Sequence, residues 1–413
     1  MGAGVKDMIE GFSSWDEDSE ERVTSWNTGA AHEGTYDTEL YRDFAEEKVR
    51  EHAALHGSSG DVPLFLWAAQ HGIHSEYDSE PIPPSSMLSE NNEEYLKVLE
   101  LRMGTATTDE EKRFFKMRKI TASVLMSIDN SLKNLVKTLD DVGMLGDTVL
   151  FVNSDNGGDT VYTKGHPGNN FPLRSEKFAY YEGGTRVPAF VFAPGRMPAS
   201  RQGTFFHGLM HHVDLLTTFV GLAGGDVSDI TTEHGLDGYD MWPAIVGEVT
   251  GPRSEVVLNL PRSKTWKSGE NKTSEGVALR MGNYKMLLNH PVDYWFSPNL
   301  GEDHHVATDM MAAVCQYDFY TSAEEEMGND CQYMSFLFDM SLDPHERMNL
   351  WLSDDHQDIK AAMIARAEEL VTLPKHNYGE ILYEYYNAPP HDATAAFKAN
   401  GDYVTPWNCR TID

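Results

Sequence analysis

The sequence predicts an α/β protein with a mostly parallel sheet and helices on both faces, followed by a small C-terminal antiparallel sheet with a covering helix. Three observations carry that reading. Apolar runs of strand length, Val62 to Ala69 (VPLFLWAA), Thr148 to Asn153 (TVLFVN) and AFVFAPG after Pro188, alternate with helical segments. Between Glu110 and Val142, Phe114, Met117, Ile120, Val124, Ile128, Leu132 and Leu135 recur at helical spacing and predict one long helix. Beyond about Pro252 the pattern changes to VALRMGNYKMLL, Val277 to Leu288, a hairpin turned at Gly282-Asn283.

In chain order, the first sixty residues are charged and helix-prone, and the acidic run Asp16 to Glu21 reads as a solvated face. Val62 to Ala69 suits a buried strand and leads into Gln70-His71-Gly72-Ile73-His74 and a Pro-rich turn, Pro81 to Ser86. Gly143 stops the long helix, and TVLFVN reads as a fully buried strand. Asp214 to Ala223 gives another helix, Phe336 to Met340 another strand, and Ile359 to Leu373 an amphipathic helix. The expected organisation is an α/β domain over 1–251 and an α+β subdomain over 252–413.

Composition bounds the function. A chain of 413 residues with 40% hydrophobic content can bury a sizeable core. Lys plus Arg total 33 against 65 Asp plus Glu, and a formal charge of −32 repels nucleic acid and anionic membrane. No apolar run approaches a bilayer span, and the acidic opening MGAGVKDMIEGFSSWDEDSEE does not read as a secretory signal. Three cysteines, Cys315, Cys331 and Cys409, argue against a disulfide framework, although Cys315 and Cys331 bracket a loop-like acidic segment and could pair, or equally be ordinary buried thiols. Asn271-Lys272-Thr273 has the glycosylation acceptor pattern. No HExxH, GxSxG, Walker loop or CxxC occurs.

The chemistry concentrates in SDNGGDT, Ser154 to Thr160, and PLRSEKFAYYEGGTRVP, Pro172 to Pro188. Asp155 and Asn156 follow an apolar strand and offer a carboxylate and an amide oxygen, the donors that calcium or magnesium takes, while Gly157-Gly158 allows close backbone approach. The same letters also make a plain strand-end turn. Lys177 and Arg186 flank the Glu182-Gly183-Gly184 turn; either they hold a tetrahedral anion, or Arg186 pairs with a buried carboxylate. His74 is placed to donate to an anion or act as general acid, or else is structural. His211 and His212 read as packing or capping residues.

Taken together, SDNGGDT and GNNFPLRSEKFAYYEGGTRVPAFVFAPG resemble the sulfatases, most nearly the arylsulfatase B group. The order continues with LMHHVDLLTTFVGLAGG, LDGYDMW, PRSEVVLN, VALRMGNYKMLLN and FLFDMSLDPHERMNL, and upstream PLFLWAAQHGIHSEY fits the strand-to-histidine segment. The resemblance implies an alkaline-phosphatase-like α/β core and hydrolysis of sulfate esters, on a small molecule or a glycan, with one calcium-type ion. Residue by residue it makes Asp155 and Asn156 metal ligands, Lys177 the sulfate-contacting lysine and His74 a catalytic histidine, and it makes Arg186 structural. A secreted or lysosomal setting is implied as well.

The departures lie at one end. The family's first strand carries paired aspartates that complete the metal site, followed by a Cys or Ser in C-x-P/A-x-R that becomes the formylglycine nucleophile. Here the residues four after each cysteine are Phe319, Ser335 and Asp413, Ser79-Glu80-Pro81 ends at Pro83, and GKWHLG is absent. With the surviving site letters intact, an N-terminally incomplete chain is the expectation, and an inactive sulfatase-like binding protein is the alternative. Because calcium takes six to eight oxygens, the pair Asp155 and Asn156 is expected to hold it weakly or not at all. The 413-residue chain is expected to be unstable and to lack turnover.

Overall fold

A computed structural model describes residues 9–16, 21–28, 36–58, 62–74, 94–160, 168–228, 231, 235–261, 276–291, 295–296, 305–306 and 333–373. The three cysteines, the Asn271 triplet and the Pro81 to Ser86 turn lie outside the described residues. The chain divides into two compact units, Met1–Met144 with Glu380–Asp413, and Leu145–Gly379.

The first unit opens on an antiparallel hairpin, not the expected helix-prone segment. Strand β1 (Ile9–Asp16) pairs with β2 (Glu21–Thr28), Ile9 opposite Thr28. The aromatic and β-branched letters Trp15, Val23, Thr24 and Trp26 favour extended backbone over the helix that the charges suggested. Asp16 and Glu21, the ends of the acidic run, form the closing pair. Helices α1 (Asp37–His56), α2 (Glu94–Thr105) and α3 (Asp109–Asp141) follow.

The long helix forms as expected in α3, because its ends are specified as well as its face. Thr108 Oγ1 accepts the Glu111 N–H at 3.1 Å, and the Glu111 carboxylate accepts the Thr108 N–H at 3.2 Å. That reciprocal cap satisfies two orphan donors. At the other end Gly143 takes φ +77°, the left-handed turn glycine adopts without a Cβ penalty. Phe114, Met117, Ile120, Val124 and Leu135 are buried along one side, against which α1 and α2 pack.

Val62 to Ala69 does not form the expected buried strand. The segment is irregular, with Phe65 66% and Trp67 82% exposed. An apolar run becomes a strand only where another strand accepts its backbone groups, and none of the described strands pairs with it.

In the second unit β3 (Leu150–Asn153) pairs antiparallel with β4 (Ala189–Phe192), Leu150 opposite Phe192. A fully buried strand of a parallel sheet was expected here; β3 is half-buried and Phe190 is 52% exposed. A parallel pair needs a crossover to the opposite end, whereas this chain re-enters where it left, the Ser154 N–H donating to Pro188 O at 3.3 Å. Every described strand pairing is antiparallel, so the mostly parallel sheet is not formed among the described residues.

Helix α4 (Glu182–Thr185) is a single turn just before β4; α5 (Asp214–Leu222) and α6 (Trp242–Ile245) follow it. Asp214 is fully buried, accepting from Arg253 Nε at 2.8 Å and the Tyr239 N–H at 2.9 Å, which ties the LDGYDMW block to α5.

The C-terminal antiparallel sheet appears as the sequence predicts. Strands β5 (Glu255–Asn259), β6 (Val277–Met281), β7 (Tyr284–Pro291) and β10 (Tyr333–Asp339) lie in the order β10-β7-β6-β5, and the short pair β8 (Trp295–Phe296) and β9 (His305–Val306) stands beside them in sequence. Gly282 turns the hairpin at φ +53°. Alternation assigns the faces. Val277, Leu279, Met286, Leu288 and Leu337 pack on Met363, Ala367 and Leu370 of α7 (Gln357–Thr372). Ala278, Leu287, Phe336 and Phe338 pack instead on Tyr181. Each buried Val, Leu, Met or Phe among them contributes about 1.5–3 kcal/mol over exposure. The second face of the sheet is therefore covered by the loop that carries Lys177 and the EGG turn.

Candidate functional site

The site begins where β3 ends. Asp155 is exposed and Asn156 half-buried. Asp155 Oδ1 accepts the Asn156 N–H at 2.8 Å, while Asn156 Nδ2 donates to Gly157 O at 2.8 Å. Those bonds fix the turn and leave Asp155 Oδ2 and the Asn156 amide oxygen as the donors on offer. Both are hard oxygens of the kind calcium and magnesium select. Among the described residues no group of three or more His, Cys, Asp or Glu side chains is gathered to hold a metal. The pair fits a calcium-type ion as part of a shell, not as a whole one.

Glycines lock this turn to the segment after it. A Cβ on Gly157 would lie 1.7 Å from Gly183 O, and the Gly157 N–H donates to Gly184 O at 3.0 Å. The Lys177 N–H donates to Gly158 O at 3.1 Å, and Asn170 clasps Gly158, accepting its N–H at 2.9 Å and donating to its carbonyl at 2.7 Å. The DNGG and EGG turns are thus one interlocked piece of backbone. Lys177 is half-buried, its Nζ 5.1 Å from the centre of the Phe178 ring.

The structure brings three of the four sequence-predicted residues together: Asp155, Asn156 and Lys177 belong to this interlocked piece. His74 belongs to the first unit, where it is exposed and its N–H donates to His71 O at 2.8 Å. Arg186 follows the carboxylate alternative, with Nη1 3.9 Å from Glu182 Oε2 and most of the side chain exposed. The His211 N–H donates to Asp214 Oδ2 at 2.8 Å, and burial together with the Arg253 charge lowers the pKa of its ring. His212 Nε2 lies 2.8 Å from Asn153 Nδ2 and 3.2 Å from Ser154 O, so it braces the end of β3.

Sequence reasoning missed a buried ionic cluster behind the EGG turn. Lys285 on β7 is fully buried, with Nζ 2.8 Å from Glu182 Oε1. It also lies 2.9 Å from Glu346 Oε1, at ion-pair distance but without hydrogen-bond alignment. Glu346 Oε2 in turn accepts the Glu182 N–H at 2.7 Å. Arg174 donates to Glu346 O at 3.0 Å and lies 4.2 Å over Tyr181 and 4.5 Å over Trp295. Burial raises the Glu182 pKa, but Lys285, Arg280 and Arg186 outweigh it and leave a net lowering. Glu346 is pushed up by burial, which Lys285 offsets only in part. One letter signalled the cluster: in YKMLL, Lys285 takes the same face as Leu287, a charge in register with a core leucine.

Comparison with known proteins places the chain. A family model described as Sulfatase matches residues 3–225. Arylsulfatase J of Mus musculus is 25% identical over 387 residues, covering 91% of this chain and 54% of that protein. Arylsulfatase A of Bos taurus is 30% identical over 247 residues, covering 60% of this chain and 42% of that protein. The chain spans about half the length of the relatives it matches. Among solved structures, that of Ps i-CgsB aligns at TM-score 0.54 with 21% identity, over 89% of this chain and 63% of that one. The same protein in complex with k-i-k-neocarrahexaose aligns at TM-score 0.53 with 20% identity, over 89% and 63%. These likenesses show a shared fold.

Proposed function

The chain belongs to the sulfatase family, and on that premise we propose that it supplies the calcium-holding and sulfate-holding part of a sulfate ester hydrolase site. The observation that carries this is the interlock of the two turns, which ties the Asp155-Asn156 oxygen pair to the Lys177 backbone through Gly157 and Gly158. Asp155 and Asn156 would hold one calcium-type ion, which when bound polarises sulfate oxygens. Lys177 neutralises charge on the sulfate. The substrate is a sulfated small molecule or glycan, met in a secreted or lysosomal compartment. The formal charge of −32 confines attraction for such an anion to the local cations, and described helices include none long and apolar enough to cross a membrane.

The 413 residues contain no Cys or Ser in C-x-P/A-x-R spacing, so the expected behaviour of this polypeptide is binding without turnover. A second reading is a catalytically inactive sulfatase-like binding protein. Reading the transcript upstream of Met1 separates them: an in-frame C-x-P/A-x-R after paired aspartates supports the hydrolase, and a stop codon directly ahead supports the binding protein. For the polypeptide itself, calcium titration should show weak binding, with a Kd on the order of 10⁻³ M, removed by Asp155→Ala. Turnover of an aryl sulfate above a Lys177→Ala control would contradict the proposed division of labour.

A further inference from the structure

We propose that Lys285, Glu182 and Glu346 form a positioning cluster: the C-terminal sheet uses one buried ammonium shared by two buried carboxylates to set the EGG turn, and through it Asp155, Asn156 and Lys177. The inference rests on the sulfate-site reading above, since it assigns the cluster to those three residues.

The argument starts from cost. Replacing a buried ion pair by apolar side chains is often neutral or stabilising, so a fully buried lysine between two carboxylates is poorly explained by stability alone. Geometry supplies another role. Lys285 and Glu346 come from β7 and from the turn after β10, 103 and 164 residues along the chain from Glu182, and both hold Glu182 directly. Side chain and backbone N–H of the same residue are fixed at once, which defines the start of α4 in position and in rotation.

From Glu182 the constraint runs through backbone with no slack. The Gly183 N–H donates to Arg174 O at 2.6 Å, and a Cβ on Gly183 would lie 2.2 Å from Ser175 O. A Cβ on Gly184 would lie 2.2 Å from Ala179 O and 2.4 Å from Glu176 O, one residue before Lys177. The Gly157 N–H ends on Gly184 O at 3.0 Å, and Gly157 is the residue after Asn156. Close-packed contacts of this kind transmit displacement rather than absorb it. A shift of Glu182 therefore moves both Lys177 and the oxygen pair. Arg174 fastens the far side, held to Glu346 O and lying over Tyr181 and over Phe336 of the sheet.

Amide hydrogen exchange on the folded chain tests this without a ligand. In Lys285→Met, and in the milder Glu346→Gln, the Gly157 and Lys177 amides should exchange at least ~10-fold faster while the Leu279 and Met286 amides keep their wild-type rates. Unchanged Gly157 and Lys177 would overturn the proposal. Equal acceleration of all four amides in both variants would also overturn it, by reducing the cluster to general stability. A parallel titration with inorganic sulfate keeps the two claims apart. If wild type binds no sulfate, the functional reading fails whatever the exchange shows; if it binds, both variants should weaken the affinity at least ~10-fold while remaining folded.

Discussion

The ribbon β3–β4 and the hairpin β6–β7 are both antiparallel pairs of apolar strands, yet one is half exposed and the other is interior. Phe190 of β4 is 52% exposed, whereas Leu279, Met286 and Leu287 are 0% exposed. The hairpin has a layer on each face, α7 on one side and Tyr181 with its neighbours on the other. The ribbon depends instead on backbone: Ser154 to Pro188 and Gly157 to Gly184. Apolar letters specify a strand, but the second layer decides its burial. The region that carries the candidate site is held by glycines and hydrogen bonds, and the region behind it by packed side chains.

Substitutions should sort along that line. Leu337→Ala, in the two-faced sheet, should cost about 2–5 kcal/mol in urea unfolding, the range for opening a cavity in a packed core. A cost under about 1 kcal/mol would show that the sheet interior is loose. Gly157→Ala places a methyl where Gly183 O already lies and should cost about 3 kcal/mol, mostly as loss of the site turn. An unaltered unfolding midpoint in that variant would mean that the two turns are not interlocked.

Acid should act on the packed region through His290. Burial, with Lys285 and Arg174 beside it, pushes its pKa down to about 3, so the folded ring stays neutral where an unfolded one, near pKa 6.5, takes a proton. The unfolded chain therefore binds the extra proton between pH 6.5 and 3, and stability falls as pH descends through that window. The slope from this residue approaches ~1.4 kcal/mol per pH unit. His290→Gln should flatten the pH dependence by about one proton; parallel slopes for the two proteins would refute the assignment. Smallest of all, Phe190→Ala in the exposed ribbon should cost under about 1 kcal/mol. A loss as large as that of Leu337→Ala would show that the ribbon's side chains are covered after all.

Much of this could be read from the letters, and the exceptions have physical causes. The α3 helix was legible because period, capping box and terminal glycine agree, and the C-terminal sheet because its hairpin turn and its alternation agree. Val62 to Ala69 failed because strand formation depends on a partner that composition does not reveal. The direction of the β3–β4 pairing was hidden in a tertiary bond, Ser154 to Pro188, between residues far apart in sequence. At the site, Asp155, Asn156 and Lys177 were visible as letters with a chemistry, and Gly157 and Gly183 as turn residues. That the glycines lock those turns together was not visible, because close approach is a property of two segments. Lys285 was not legible as buried, since an isolated lysine in a strand usually reaches solvent, and only its register with Leu287 shows otherwise.

The central claim is that Lys177 and the Asp155-Asn156 pair form one sulfate-holding site. Calorimetric titration of inorganic sulfate, with calcium present, into wild type, Lys177→Ala and Asp155→Ala tests it most directly. The expected result is measurable affinity in wild type that falls at least ~10-fold in each variant, about 1.4 kcal/mol or more. Equal affinity in all three proteins, or none in any, would contradict it.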